Sequence, residues 1–418
     1  MKKALIILIA PLFINSCNNM TERNFPEKHE IILEWEFTGN NVSSGYYKSV
    51  FTLQNKSAHT LGDHGWALYF NQMGSSAAHV SESGKVRVDH INGDLFRITP
   101  GKGFSLEPGK ITEINLQKGG WLIKEVEAPL GPYFVYGDSI GNELAAVAVD
   151  NYIIRPFPSL DKIYPAGTSI PLPTAEWIFE KNLHQKTMEP SAVELILPSP
   201  SEIDRSSNKV NLGKGLMIHF QENLDGEAEY LAKMIEQVMG IAPAVMNSNN
   251  GGSNIIRLSI GPDAGDPGPE SYQLTATEEG GVHITGGGQA GVFYGIQSLL
   301  AMIPVEAWSN LQEIIEIDAV TITDSPAFEY RGMHLDIARN FIDPADIKKL
   351  IRAMAFYKLN KLHLHLTEDE AWRIEISSLP ELTEVGGYRG HTLDNKDHLN
   401  PAYGSGPVPD PAVGFGSG

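Results

Sequence analysis

The 418-residue sequence contains a single cysteine, Cys17. One thiol cannot form an internal disulfide, and it excludes zinc sites built from several cysteines. Basic residues are also scarce. The sequence has 32 Lys and Arg but 51 Asp and Glu, which gives a net charge of −19. A chain this acidic does not bind nucleic acid by neutralising phosphates, so we expect no nucleic-acid partner. The hydrophobic fraction of 42% still allows packed cores, and the length predicts two to four domains.

The apolar run near the N-terminus is too short to span a bilayer. It covers residues 4–14, behind two lysines, whereas a membrane-spanning helix needs about 20 residues. This pattern is typical of a signal peptide, here residues 1–16. Ser16 followed by Cys17 resembles the bacterial lipobox, in which the cysteine is acylated and becomes the mature N-terminus. The sequence therefore predicts a lipid anchor at Cys17 and a place in the bacterial cell envelope, at the outer membrane or in the periplasm; an ordinary signal peptide is the alternative.

Residues 27–180 have the pattern of an all-β domain that ends in a proline-rich linker. Apolar residues alternate with other residues at a period of two, at Ile31, Leu33, Trp35 and Phe37. Asn92-Gly93 lies between two strand-like segments and is typical of a type I′ hairpin turn. Short strands with such turns predict a β-sandwich.

Residues 190–322 mix helical and strand patterns and predict an α+β domain. One helix is indicated by apolar residues at helical spacing, namely Leu231, Met234, Ile235 and Val238. A second is indicated by Val292, Ile296, Leu299, Leu300 and Ile303 on one face. Residues 286–291 (GGGQAG) match a dinucleotide-binding fingerprint, but the strands before them favour an antiparallel hairpin. We therefore favour the interpretation that these glycines permit close packing of the helix.

Residues 323–418 begin with a strand, helix and strand. Residues 333–337 and 361–366 are strand-like, and between them Asp343 is a candidate N-cap with Pro344 at the first helical position. The helix is predicted to bury Ile347, Leu350, Ile351 and Met354. Such a unit implies a parallel sheet, which two strands leave incomplete.

Candidate functional residues follow the two strands. Arg339 comes just after the first, while Glu368, Asp369 and Glu370 come just after the second. A guanidinium that carboxylates hold in place can hydrogen-bond vicinal sugar hydroxyls, and Trp372 offers a flat apolar ring. The same spacing is also explained if Arg339 forms a purely structural ion pair and Trp372 lies in the core. The residues alone leave the sugar-binding and the structural interpretation open.

Two strand histidines raise a further alternative. His363 and His365 lie two apart on one strand, as metal ligands can. No third ligand follows from the sequence. We therefore expect neither a metal nor a cofactor.

Two segments carry a resemblance to a known family. Residues 331–339 (RGMHLDIAR) follow the form R-G-x-x-L-D-x-x-R, and residues 363–373 (HLHLTEDEAWR) follow H-x-H-L-(S/T)-D-D-x-x-W-R. Both resemble glycoside hydrolase family 20, the β-N-acetylhexosaminidases. The resemblance implies a multidomain chain: an all-β sandwich of carbohydrate-binding type, an α+β second domain, and the beginning of a (β/α)8 barrel.

The resemblance also implies an activity and a set of partners. The family removes terminal β-linked N-acetylglucosamine or N-acetylgalactosamine from glycans with retention of configuration, using the substrate's own acetamido group. Arg339 matches the arginine that binds sugar hydroxyls, Asp369 matches a family aspartate, and Glu368 stands where the family has Asp.

The catalytic Asp-Glu pair of the family belongs to a motif H-x-G-G-D-E, which does not occur here. We expect that pair beyond Gly418, so that this chain is a truncated piece without hydrolytic activity. A non-catalytic, glycan-binding surface lipoprotein is the alternative.

Overall fold

The computed structural model describes residues 25–73, 79–81, 84–164, 175–187, 196–248, 250, 252–262 and 268–410. They form two compact units. The first unit holds the described residues up to Trp177 together with Ala338–Phe341 and the chain from Thr367 onward. The second unit holds Ile178–Ile337 and Ile342–Leu366. The predicted signal peptide and the predicted lipid anchor at Cys17 lie outside the described residues.

The part of the first unit that precedes residue 178 is almost entirely β-structure. Its strands are β1 (Ile31–Asn41), β2 (Tyr46–Asn55), β3 (Trp66–Asn71), β4 (Val80–Ser81), β5 (Val86–Asn92), β6 (Leu95–Pro100), β7 (Ile111–Gly119), β8 (Leu130–Ser139), β9 (Asn142–Ala148) and β10 (Asn151–Ile154). A 3-10 turn covers Glu125–Glu127, and the short helix α1 (Leu160–Ile163) follows. Helix α2 (Ala175–Asn182) begins in the first unit and ends in the second.

These strands form the predicted sandwich. One sheet has the order β10-β1-β2-β7-β4 and the other has the order β5-β6-β3-β8-β9. Trp35 and Phe51 from the first sheet meet Phe70, Phe96 and Phe134 from the second in one buried aromatic core. The alternation read from the sequence of β1 is confirmed, because its four apolar residues at a period of two are all buried.

The predicted β5–β6 hairpin is present, but its turn differs from the expected type. Asn92 pairs with Leu95, so the two turn residues are Gly93 and Asp94. Of these two, only Gly93 has a positive φ, at +51°. A type I′ turn needs a positive φ at both central residues, so the type I′ assignment was wrong. We call residues 92–94 the sandwich turn.

The second unit is built on a seven-stranded mixed sheet. Its elements are β11 (Glu202–Leu212), β12 (Met217–Phe220), α3 (Asp225–Met239), β13 (Ala244–Asn247), β14 (Ile255–Ile260), β15 (Tyr272–Thr277), β16 (Gly281–Gly286), α4 (Gln289–Met302) and β17 (Ile315–Asp324). The strand order is β11-β17-β15-β16-β14-β12-β13. Helices α3 and α4 pack against each other and the sheet, which confirms the α+β prediction. The buried surface of α4 is wider than the single apolar face expected, because Tyr294 and the polar residues Gln297 and Ser298 are buried as well.

The glycines before and within α4 are sites of close packing. A Cβ on Gly291 would lie 2.0 Å from the carbonyl oxygen of Ser271, and a Cβ on Gly286 would lie 2.4 Å from the backbone nitrogen of Val292. No side chain fits at these distances without a backbone shift. This geometry supports the packing interpretation of the glycine-rich segment.

A parallel strand–helix–strand follows, as predicted, with β18 (Gly332–Asp336), α5 (Pro344–Phe356) and β19 (Lys361–His365). Asp343 caps α5 by accepting a hydrogen bond from the backbone nitrogen of Ala345 at 2.7 Å. The predicted buried stripe of α5 is only partly correct. Met354 is buried, but Ile351 is 47% exposed. In the part of the chain that the structure describes, β18 and β19 pair only with each other, and two strands cannot cover a whole helix face.

The chain then returns to the first unit with β20 (Thr367–Glu368), β21 (Ala371–Trp372) and α6 (Glu381–Glu384). The stretch predicted as one domain over residues 323–418 is therefore divided between the two units. Among the described residues, no helix combines the length and the apolar character that a membrane span requires.

Replacing Gly291 by alanine tests the packing role of the glycines. We expect Gly291→Ala to lower the free energy of unfolding of the second unit by about 1–3 kcal/mol, since the new methyl group overpacks the contact with Ser271. The matched control is Gly226→Ala in α3, where a Cβ meets nothing within 4 Å and helix propensity favours alanine by about 1 kcal/mol. Urea unfolding of both variants measures the difference. Equal stability of the two variants would contradict the packing interpretation.

Candidate sugar-binding site

Arg339 and its carboxylate partners form a cluster in the first unit. The Arg339 guanidinium donates a hydrogen bond to Glu368 and forms an ion pair with it. Its Nε also lies 3.8 Å from the Glu370 carboxylate. The Arg339 side chain is 36% exposed, so the guanidinium is held by two acids and remains open to solvent.

A tight hairpin places the acids of this cluster. Thr367 pairs with Trp372 and Glu368 pairs with Ala371, which leaves Asp369 and Glu370 as the turn between β20 and β21. Asp369 is exposed at this turn. The structure thus brings Arg339 and Glu368 into contact as predicted and leaves the Asp369 carboxylate facing solvent beside them.

Trp372 is half-buried and makes a polar contact. Its ring nitrogen donates to the carbonyl oxygen of Ile374 at 2.7 Å. The side chain is therefore neither fully buried in the core nor fully exposed to solvent. Its proposed contact with a sugar face stays a prediction.

Two arginines, Arg389 in the core and the half-buried Arg373, support the backbone that carries Arg339. Arg389 donates to the carbonyl oxygen of Arg339 at 2.5 Å, and Arg373 donates to that of Ala338 at 3.0 Å. Burial lowers the pKa of both guanidinium groups. Arg389 is only 2% exposed, and its Nη1 has no hydrogen-bond partner. Sequence reasoning did not assign a role to Arg389.

Tyr403 and Asp94 complete the cluster from two distant parts of the sequence. The Tyr403 hydroxyl hydrogen-bonds with both Glu370 and Arg339, and burial together with the Glu370 contact raises the pKa of Tyr403 to about 12. The backbone nitrogen of Tyr403 donates to Asp94 at 3.0 Å. Burial raises the pKa of Asp94, and burial likewise raises the pKa of Glu370, with Asp369 and Asp94 acting in the same direction.

A cavity of about 150 Å³ lies beside these residues. Its walls are the sandwich turn, Asp369 and Glu370, and a loop that includes Asn395 and Asn400. The walls combine carboxylate acceptors with amide groups, which suits a neutral ligand with many hydroxyl groups. Asp94 was visible in the sequence only as part of a turn, and no sequence signal pointed to Tyr403.

The strand histidines belong to the second unit. The rings of His334 and His363 lie 4.7 Å apart, nearly perpendicular to each other. Across the residues described above, no group of three or more His, Cys, Asp or Glu is placed to hold a metal ion.

Three family models match the chain. The model "Glycosyl hydrolase family 20, catalytic domain" matches residues 328–408, and "Glycosyl hydrolase family 20, domain 2" matches residues 194–325. The chain belongs to glycosyl hydrolase family 20. A third model, "Putative carbohydrate binding domain", matches residues 36–155 of this family 20 chain. The resemblance found in the two sequence motifs is thereby confirmed.

The chain is also similar to curated beta-hexosaminidases. The family 20 chain is 30% identical to a beta-hexosaminidase of Vibrio vulnificus over 86% of its own length and 42% of the relative's. It is 27% identical to beta-hexosaminidase B of Pseudoalteromonas piscicida over 93% of its own length and 49% of the relative's. The chain thus spans about half, or less, of the length of the curated relatives it matches.

A solved structure supports the fold. The family 20 exo-beta-N-acetylglucosaminidase of Vibrio harveyi, in complex with N-acetylglucosamine, matches with a TM-score of 0.67 and 21% identity. The match covers 92% of this chain and 53% of that one. The chain is therefore a mostly β, multidomain protein with a family 20 second domain and part of a family 20 catalytic domain.

Proposed function

We propose that this chain supplies the sugar-binding residues of a glycosidase that removes terminal β-linked N-acetylhexosamine from glycans. The observation that carries the proposal is Arg339, which is held by Glu368 and Glu370. Glu370 in turn lines the polar cavity of about 150 Å³. A guanidinium fixed in this way binds two neighbouring hydroxyl groups at once. The names of the relatives, among them N,N'-diacetylchitobiase of Vibrio harveyi, support N-acetylglucosamine as the sugar.

The reaction we propose retains the configuration at the anomeric carbon. The acetamido oxygen of the substrate attacks C1 while a carboxylic acid protonates the leaving oxygen, which gives an oxazolinium ion. Water then attacks C1, the same carboxylate accepts its proton, and the acetamido group is restored. Within this scheme Arg339, Glu368 and Asp369 orient the sugar ring and transfer no proton.

The proton donor of this scheme is not among the residues assigned above. Asp369-Glu370 is the single Asp-Glu dipeptide in the sequence, and it does not lie in an H-x-G-G-D-E motif. Glu370 is already engaged by Arg339 and Tyr403. We propose that β18, α5 and β19 begin a (β/α)8 barrel, and that an Asp-Glu pair on a later barrel strand completes the enzyme.

A second candidate function is glycan binding by the sandwich itself. The match to a putative carbohydrate binding domain favours it. A cavity of about 190 Å³ on the sandwich, lined by His64, Trp66 and Glu143 among others, is where such a module would bind. Binding of this kind would not depend on Arg339.

The activity and binding of the purified chain test these proposals. We expect no hydrolysis of a chromogenic N-acetyl-β-glucosaminide, because the H-x-G-G-D-E motif that would supply the proton donor does not occur in the sequence. We expect N-acetylglucosamine to bind, and Arg339→Ala to weaken that binding about 10- to 100-fold, the range for losing a charged hydrogen bond of about 1.5–3 kcal/mol. Calorimetric titration measures the affinity.

Arg155→Ala is the matched control. Arg155 pairs with Glu34 on the sandwich surface, so the affinity should not change. Hydrolysis by protein free of host enzyme would contradict the placement of the proton donor. Sugar binding that survives Arg339→Ala would instead favour the sandwich as the binding module.

We also propose that acylation of Cys17 anchors the protein in the bacterial cell envelope, with the membrane as its partner. We expect Cys17→Ala to release the protein into the soluble fraction, because buried acyl chains contribute about 0.8 kcal/mol per CH₂. Fractionation followed by immunoblotting measures the distribution, with Ser16→Ala as a control that keeps a small residue before the cysteine. A Cys17→Ala variant that stays with washed membranes would overturn the proposal.

A further inference from the structure

Side chains of the sandwich hold a loop of the catalytic-domain segment in place. The amide of Asn71 donates to the carbonyl oxygen of Pro401 at 2.9 Å, and its side-chain oxygen accepts from the backbone nitrogen of Gly404 at 3.1 Å. Asp94 accepts from the backbone nitrogen of Tyr403 at 3.0 Å. Asn71 also donates to Asp94 at 2.7 Å. Residues 401–404 are therefore fixed by two polar side chains of the sandwich.

The backbone at Tyr403 needs this support. Its φ of +52° lies in the left-handed region, which costs a residue other than glycine on the order of 1 kcal/mol or more. Such a conformation persists only where surrounding contacts hold it. Here the contacts come from Asp94 and from Asn71 through Gly404. The backbone held in this way carries the side chain whose hydroxyl hydrogen-bonds with Glu370 and Arg339.

Arg389 forms a second connection between the same groups. Its guanidinium lies 5.9 Å from the centre of the Tyr403 ring and donates to the carbonyl oxygen of Arg339. The charges of Glu370 and Asp94 favour its protonated form. Arg389 therefore links the Tyr403 ring to the backbone of Arg339.

The sandwich turn also lies against the sugar-binding acids directly. A Cβ built on Gly93 would lie 3.8 Å from the Glu370 carboxylate. The turn forms one wall of the cavity of about 150 Å³, and Asp369 and Glu370 form another.

We propose that the sandwich turn is part of the sugar site, and that Asp94 is a positioning residue that acts through Tyr403 on Glu370 and Arg339. The inference rests on the proposed function, since it assigns the sandwich a role in the same site. The sandwich then completes the binding site of the catalytic-domain segment and sets its affinity for an N-acetylhexosamine.

Three variants of the 418-residue chain test this inference: Asp94→Asn, Tyr403→Phe and the double variant. Tyr403→Phe removes only the hydroxyl that contacts Glu370 and Arg339. We expect each single variant to weaken the binding of N-acetylglucosamine about 5- to 20-fold. Because Asp94 acts through Tyr403, the double variant should bind no more than about twofold more weakly than Tyr403→Phe alone. If Asp94 had a purely structural role, the losses of binding free energy in the two single variants would add up in the double variant.

Asp89→Asn is the matched control on the same hairpin. Asp89 pairs with Arg87 and Arg97 and does not line the cavity, so its replacement should leave the affinity unchanged. Thermal unfolding checks that each variant folds. If Asp94→Asn does not fold, Tyr403→Phe, which preserves the ring, decides the test.

The outcomes separate the inference from the function on which it rests. Unchanged affinity in Tyr403→Phe, or additive losses in the double variant, would overturn the inference even where Arg339→Ala abolishes binding. Failure of the wild-type chain to bind N-acetylglucosamine would overturn the proposed function and the inference together.

Discussion

A guanidinium group can bind sugar hydroxyls specifically only when its own orientation is restricted, because a free arginine side chain loses much conformational entropy on binding. The ion pair between Arg339 and Glu368, with Glu370 on the other side, provides that restriction. The Arg339 side chain is still 36% exposed, so that a ligand can reach it. The other contacts of the cluster serve to keep this arrangement in place: Arg389 and Arg373 fix the backbone, and Tyr403 fixes Glu370.

The stability of this arrangement is distributed between sandwich and catalytic-domain segment. Burial raises the pKa of Asp94 and lowers that of Arg389, and so disfavours the charged form of each. Asp94 is compensated by a hydrogen bond from the backbone nitrogen of Tyr403, about 300 residues away in the sequence, and Arg389 by its hydrogen bond to the carbonyl oxygen of Arg339. A second such contact joins His391 to Glu143 at 2.7 Å, with the Tyr133 hydroxyl on the other ring nitrogen. Within the first unit, Asn71 and Asp94 of the sandwich therefore support the loop at Tyr403 directly.

Local features of this chain could be predicted from sequence, whereas contacts between distant segments could not. The buried face of β1 followed from alternation, and the start of α5 followed from the capping chemistry of Asp343 and Pro344. Arg339 and Glu368 were found because both lie in motifs of a known family. Asp94 and Tyr403 were not found, since their roles depend on how a hairpin turn and a distant loop meet. The buried stripe on α5 was overestimated because helical periodicity does not say how much partner surface exists.

Hydrogen–deuterium exchange of the chain with and without N-acetylglucosamine tests most directly whether one sugar site is assembled from both segments. We expect slower exchange on sugar binding in peptides that cover Ala338–Phe341, residues 368–372, the sandwich turn and residues 401–404. Peptides that cover β11, in the other unit, should not change. Slower exchange at Arg339 and the β20–β21 turn, with none at the sandwich turn or residues 401–404, would contradict the account.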